Sequence, residues 1–262
     1  MSDKPTHSSS ETTSYNATTH FGYETIPTAE KEKRVGDVFR SVAARYDIMN
    51  DIMSFGAHRL MKRITIEYSG LKAGHTVLDL AGGTGDFSLR FSPIVGEKGR
   101  VVLADINDAM LAVGRDRIID KGSNQNIFIA QVNAESLPFR DKSFDCVCIA
   151  YGLRNVTDKF SALKSMHRVL KPGGRVLILE FSKPKNEFVK KTYRAFAALW
   201  PFAGKVVADD SESYRYLVES IRMHPDQETL KTLLEDANFI ECKYYDLLNG
   251  ICAIHIGFKP LI

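Results

Sequence analysis

The chain has 262 residues, 44% of them hydrophobic, a net charge of +3 and four cysteines. That length suits one α/β domain with an insertion or two small domains, and the apolar fraction is enough for a core. So small a charge leaves no nucleic-acid footprint, and cysteines without a CxxC pair give neither a metal site nor a disulfide framework.

In chain order, residues 1–20 read as a disordered polar tail, "MSDKPTHSSSETTSYNATTH", which lacks the apolar segment of a signal peptide. One domain then runs over 21–262. From Arg34 to Arg63 the pattern is helical, with Val35, Val38, Phe39 and Val42 on one face. Helices are expected over about 33–66.

After them, continuous apolar runs alternate with helical stretches. The predicted strands are Thr76–Ala81, Arg100–Asp105, Ile127–Val132, Phe144–Ala150 and Arg175–Phe181. The predicted helices between them are Asp86–Val95, Ala109–Asp120 and Lys159–Leu170, the last stopped by "KPGG". Strands buried on both faces that alternate with helices specify a doubly wound parallel sheet.

A mostly helical insertion follows over about 183–224, then a helix at Asp226–Ala237. Two β runs close the chain, Ile240–Leu247 and Ile251–Phe258. Only Leu248, Asn249 and Gly250 separate them, so they form an antiparallel hairpin. The apolar stretch "AFAALWPFAG" is too short to span a bilayer. The expected location is the cytoplasm, with a contact on the inner membrane face left open.

The segment "VLDLAGGTGDFS", Val77–Ser88, is a glycine turn between a strand and a helix. The dinucleotide fingerprint fails there, because Ser88 stands where a glycine or alanine is needed. The P-loop fails for want of a Lys-Ser/Thr pair. Asp79 can bond the glycine-turn amides. Asp105 ends the second strand, 20 residues after Gly85, where an acid accepts from both hydroxyls of a ribose. The third strand runs into "NAESLPF", where Asn133 and Ala134 can bracket an adenine edge. Arg154 and Asn155 follow the fourth strand, beyond the carboxyl ends where ligands lie in open α/β sheets.

These segments resemble the class I S-adenosylmethionine-dependent methyltransferases. "VLDLAGGTG", "ADIN", "NAESLPF", "FDCVCIAYGLRNV" and "LKPGGRVLILEF" stand in that family's order and spacing. The resemblance implies a Rossmann-like, seven-stranded sheet whose last hairpin supplies the reversed strand. "RYDIMNDIMSFGAHRLMKR", "GLRNVTD", "LEFSKP" and "ADDSESYRYLVESIRMHPDQETL" are similar more narrowly to the ubiquinone/menaquinone biosynthesis C-methyltransferase (UbiE) family, from about His20 onward. Met61 departs from a frequent tryptophan there, and Ala150 from a frequent serine.

The resemblance implies an enzyme that methylates a ring carbon of a polyprenyl quinol, with S-adenosylmethionine as donor and no metal. It also implies that the helices over about 33–66 form a lid. It puts Gly82, Thr84, Asp105, Asn133 and Ala134 against the cofactor. Thr84 can also be a helix N-cap. Arg154 is expected to stabilise a substrate phenolate, with Asn155 and Tyr46 orienting ring oxygens. The bland alternative for Arg154 is a surface pair with Asp158. Tyr46, Asp47 and Asn50 share a helical face and belong either to the lid or to a helix-end hydrogen-bonding set.

Phe196, Leu199, Trp200 and Phe202 form either a core or dimer contact or a wall for an isoprenoid tail. A homodimer and a contact with a quinone-synthesis assembly stay open. The competing functions are an O- or N-methyltransferase, a non-catalytic component of such an assembly, and a dehydrogenase that Ser88 opposes.

Overall fold

The computed structural model describes residues 17–43, 54, 56–123, 125–198, 200 and 211–262. The central sheet has seven strands: β3 (Thr76–Leu80), β4 (Arg100–Asp105), β5 (Ile127–Gln131), β6 (Phe144–Ala150), β7 (Leu170–Phe181), β8 (Ile240–Leu247) and β9 (Cys252–Phe258). Their spatial order is β5-β4-β3-β6-β7-β9-β8. Strands β3 to β7 pair in parallel, and β9 runs antiparallel between β7 and β8. The expected doubly wound, class I sheet with one reversed hairpin strand is therefore the fold.

Period-two alternation builds one core on each face. Leu78, Leu80, Val147, Ile149 and Ile178 point to the face covered by helices α5 (Lys159–Val169) and α8 (Gln227–Asp236). Val77, Val101, Leu103, Cys148 and Leu179 point to the other, under α3 (Asp86–Val95) and α4 (Asp108–Asp120). All four cysteines are buried and free. Burial pushes the Cys146 and Cys252 thiols up to about 12, so they pack as small apolar groups.

Two boundaries differ from the sequence expectation. The polar tail was expected to reach residue 20, but β1 (Thr18–Phe21) pairs with β2 (Glu24–Pro27) in a small hairpin. Neither strand has an apolar alternation to reveal it. Its anchors are long-range: Phe21 stacks on Tyr216 at 4.3 Å, and Tyr23 N–H donates to Glu219.

Helix α5 ends just before "KPGG" as expected, but the strand expected from Arg175 already starts at Leu170, so "KPGG" lies within β7. Phe144 pairs with Leu170 while Cys146 pairs with Arg175, so Lys171–Gly174 is a bulge. A side chain at Gly174 would meet the Lys171 and Asp145 carbonyl oxygens at 2.9 and 3.1 Å. Pairing resumes across a turn that composition alone reads as a break.

Helices α1 (Thr28–Val42) and α2 (Ala57–Tyr68) stand for the predicted N-terminal helical segment. Asn107 fixes α1 over the end of β4, donating from Nδ2 to Gly36 O at 2.9 Å. Lys62 ties α2 to the first turn of α3 through Asp86 at 2.9 Å. The insertion supplies α6 (Glu187–Ala197) and α7 (Ser211–Met223). Among the described residues no helix is long and apolar enough to cross a membrane.

Candidate active site

The carboxyl ends of β3, β4 and β6 converge beneath α1, α2, α6 and α7 on a cavity of about 300 Å³. Three non-glycine residues there hold left-handed backbone: Ala81 after β3 (φ 51°), Tyr151 after β6 (φ 55°) and Leu248 after β8 (φ 49°). Such strain persists only where surrounding structure fixes it, and it concentrates at ligand sites.

The glycine turn fits a ligand because side chains cannot enter it. A Cβ at Gly82 would lie 2.5 Å from Leu103 Cδ1 and 2.8 Å from Asp79 Cγ. Gly83 has φ +53°. Its N–H donates to Asp105 Oδ2 at 2.9 Å, and Asn107 N–H donates to Asp105 Oδ1 at the same distance. Each carboxylate oxygen keeps lone-pair capacity for a cavity ligand. Asp105 is 9% exposed, and burial outweighs the amides and raises its carboxyl above the usual range.

Asp79 does not serve the glycine amides as expected. Its Oδ2 accepts from the Ser88 hydroxyl at 2.6 Å, and Ser88 itself is fully buried. The residue that breaks the dinucleotide fingerprint is thus the partner of a strand acid. Thr84 is 4% exposed and lines the cavity, but the α3 N-cap is Gly85, with no side-chain cap bond. Asn133 accepts from Glu135 N–H at 2.9 Å and so caps a short turn, while Ala134 also faces the cavity.

Arg154 is not in the surface pair with Asp158. Asp158 caps α5 through Ser161. Arg154 Nη1 instead meets Glu180 Oε1 at 3.0 Å, with both side chains 3% exposed or less. Arg154 N–H donates to Glu180 Oε2 at 3.2 Å, Phe181 N–H to Oε1 at 2.9 Å, and Nη1 also donates to the Tyr151 carbonyl. Asn155 Oδ1 accepts from the Tyr216 hydroxyl at 3.0 Å. Tyr151, Arg154, Asn155, Phe181 and Tyr216 line the same cavity as Asp105. Tyr46, Asp47 and Asn50 lie outside the described residues, as do Leu199 and Phe202. Phe196 and Trp200 pack with Tyr214 and Leu217 in a small separate core and also line the cavity.

Sequence reasoning missed Glu180 and Tyr151. The signal for Glu180 was present, since a carboxylate inside "VLILEF" is a charge in a doubly covered strand and needs a partner. Tyr151 carried no such signal. Its hydroxyl rests near Met61 Sδ and Cys252 Sγ, at 3.7 and 3.9 Å, and burial holds its phenol well above the usual range.

A parallel sheet with one reversed strand, a bare turn after β3 and a buried acid ending β4 define a class I S-adenosylmethionine-dependent methyltransferase. A crystal structure of a SAM-dependent methyltransferase from Aquifex aeolicus is similar in fold, with a TM-score of 0.55 and 19% identity. The match covers 75% of this chain and 88% of that one. The ubiE/COQ5 methyltransferase family model matches residues 27–259, and the chain belongs to that family. It is 62% identical to a protein of Hahella chejuensis, over 92% of this chain and 98% of that one. It is 60% identical to one of Pseudomonas putida strain W619, over 93% and 95%. Both relatives bear the name ubiquinone/menaquinone biosynthesis C-methyltransferase UbiE.

Burial pushes the Asp79 carboxyl up to about 7, partly opposed by its bonds to Ser88. Unfolded, the same group titrates near 3.9. Between about 4 and 7 the folded state therefore binds the extra proton, and the contribution of Asp79 to stability falls as pH rises, by at most about 1.4 kcal/mol per unit. Asp79→Asn should remove this slope while keeping an acceptor for Ser88. Urea midpoints of wild type and variant should thus move toward the variant's favour between about pH 5 and about pH 8; a constant difference would assign the slope elsewhere.

Proposed function

We propose that this enzyme methylates a ring carbon of a polyprenyl quinol: 2-polyprenyl-6-methoxy-1,4-benzoquinol, demethylmenaquinol or both. The observation that carries this reading is a single cavity lined both by Asp105, at the end of β4, and by Arg154, after β6, whose guanidinium is paired with Glu180. The names of the relatives support the same choice of substrate. S-adenosylmethionine supplies an electrophilic methyl group when bound. Gly82, Gly83 and Thr84 would lie against it, Asp105 would accept from its ribose hydroxyls, and Asn133 and Ala134 would flank its adenine.

The substrate carbon becomes a nucleophile only when a neighbouring phenol ionises and its charge spreads onto the ring. Arg154 is placed to favour that ionisation. Its guanidinium stays charged at any working pH, so it stabilises the phenolate without taking the proton. Glu180 orients it. Asn155, held by Tyr216, positions a ring oxygen, and Tyr46 is assigned the same task. Burial pushes the Tyr216 phenol up to about 12, so it remains a donor. Phe39, Phe181, Phe196 and Leu217 line the rest of the cavity and provide apolar surface for a prenyl chain. Helices α1 and α2 act as its lid. Exclusion of water strengthens every charge interaction on the path. Loss of the ring proton after methyl transfer restores aromaticity.

The reading is tested with labelled S-adenosylmethionine and short-chain demethylated quinols. The reduced ring should gain a carbon-bound methyl and the oxidised quinone none, because the quinone has no phenol to ionise. Label on oxygen, or equal rates with both forms where reduction is prevented, would overturn it.

Asp105→Ala should weaken S-adenosylmethionine binding by about 1.5–3 kcal/mol, the worth of hydrogen bonds to a charged acceptor. Titration calorimetry on the folded variant checks this, and unchanged affinity removes Asp105 from the site.

Arg154→Ala should lower kcat by about 10²- to 10³-fold, as loss of an oxyanion donor does, and leave cofactor affinity near wild type. Arg154→Lys should recover only part, since it keeps the charge without the planar fork. Wild-type turnover in Arg154→Ala would make the pair with Glu180 purely structural.

A further inference from the structure

A second cavity, of about 260 Å³, adjoins the first. Tyr193 and Trp200 line both and form the wall between them. The second cavity lies between α6, α7 and the segment that leaves β7. Its polar lining is cationic: Lys183, Lys190, Arg194 and Arg222, with no carboxylate among the described lining residues. Glu187 pairs with Lys190 at 3.0 Å, and Arg222 donates to the Tyr23 hydroxyl at 2.9 Å. Neither contact neutralises Lys183 or Arg194.

Three buried polar atoms here have no hydrogen-bond partner among the described residues: Ser182 Oγ, Tyr193 OH and Trp200 Nε1. Ser182 and Trp200 are 6% and 3% exposed. Buried polar groups in native proteins are nearly always satisfied, so such a cluster marks the place of an absent acceptor. All three can donate, as can the four cations around them. The floor of the cavity is apolar, built from Ala197, Val218 and Ile221. Burial raises the Tyr193 phenol above its usual range, so its hydroxyl stays a donor.

We propose that this second cavity binds a phosphate oxyanion carried on an apolar body, the headgroup of an anionic phospholipid. The phosphate would accept from Ser182 and Trp200 and face Lys183 and Arg194, and the apolar floor would take the first carbons of the lipid. Phosphate fits this donor set because it has several acceptor oxygens and a charge that the cations can balance. Phe188 on α6, 75% exposed, stands on the outer face of the same helix, where it can enter the lipid. The site is separate from methyl transfer and stands whichever quinol is the substrate.

Trp200 is the sole tryptophan of the chain, so its fluorescence reports on the cavity wall. The full chain is titrated with inorganic phosphate, with short-chain phosphatidylglycerol below its micelle threshold, and with sodium chloride at matched ionic strength. The expected result is a saturable change with phosphate and a midpoint at least about tenfold lower with the lipid, because the apolar floor is then also used. Arg194→Gln and Lys183→Gln should each raise both midpoints about tenfold or more, the scale of one charged hydrogen bond. S-adenosylmethionine affinity, measured by calorimetry, should not move in either variant and serves as the check on folding.

A saturable change with phosphate and no gain with the lipid would support the oxyanion site and assign it to free phosphate. No saturable change with either ligand would overturn the site. A change that persists in both variants would overturn it equally, by locating the ligand elsewhere.

Discussion

Removing two charges from water costs several kcal/mol per ion, and in this protein Arg154 and Glu180 both meet that cost at the end of the sheet. The pair is held by further hydrogen bonds on both of its members. Phe181 and Arg154 amides donate to the carboxylate, and the Tyr151 carbonyl accepts from the guanidinium. These bonds join the ends of β6 and β7 and fix the chain after β6 in one path. A buried ion pair is weak evidence for stability, since apolar residues of like volume often do as well. Its retention at the wall of the cavity therefore points to positioning. The guanidinium is held by a charged partner at one end of its fork, and its plane is set before any substrate arrives.

The neighbouring acids show how environment divides labour between like residues. Asp79 and Asp105 sit on the neighbouring parallel strands β3 and β4, both nearly inaccessible. Asp79 receives its hydrogen bonds from Ser88, one turn into α3, and works as an internal clamp between strand and helix. Asp105 receives backbone amides from Gly83 and from Asn107, the residue that also anchors α1. One carboxylate thus joins the bare turn, the second strand and the covering helix. Ligand contacts to Asp105 would be felt at all of them, because each amide that holds the carboxylate belongs to a different wall.

Much of this was legible in the sequence. Continuous Val, Ile and Leu runs alternating with helical stretches identified β3 to β6 within a residue, because strands covered on both faces leave no other pattern. Three residues between the last β runs required a hairpin, and Leu248, Asn249 and Gly250 do take consecutive positive φ values to make it. The failures share a cause. The β1–β2 hairpin, the "KPGG" bulge and the Arg154–Glu180 pair are each held by partners distant in sequence, and local pattern carries no record of them. Asp158 looked like the partner of Arg154 because it is four residues away. Its side chain was already committed as an N-cap, and the competing carboxylate lay 26 positions on. Glu180 could have been found by asking what satisfies a charge within an apolar strand. Tyr46 lies outside the described residues and keeps its sequence-based assignment.

The roof of the cavity follows a different logic from its floor. The floor is strand ends, fixed by the ladder. The roof is made by side chains that reach far along the sequence: Ser41 to Ser213 at 3.2 Å, Tyr216 to Asn155 at 3.0 Å, and Phe21 stacked on Tyr216. Each of these contacts is a single hydrogen bond or ring pair, worth about 0.5–1.5 kcal/mol. With the Asn107–Gly36 and Lys62–Asp86 ties and the small core around Tyr214, they hold the roof by side chains and not by a strand ladder, and such segments open at smaller cost than the sheet does. A bulky prenylated ring needs such an opening to enter, and the rigid sheet cannot provide it. The separation of a firm floor, where Asp105 and Arg154 are fixed, from a roof held by side-chain contacts would let the proposed site keep its geometry while substrate and product pass.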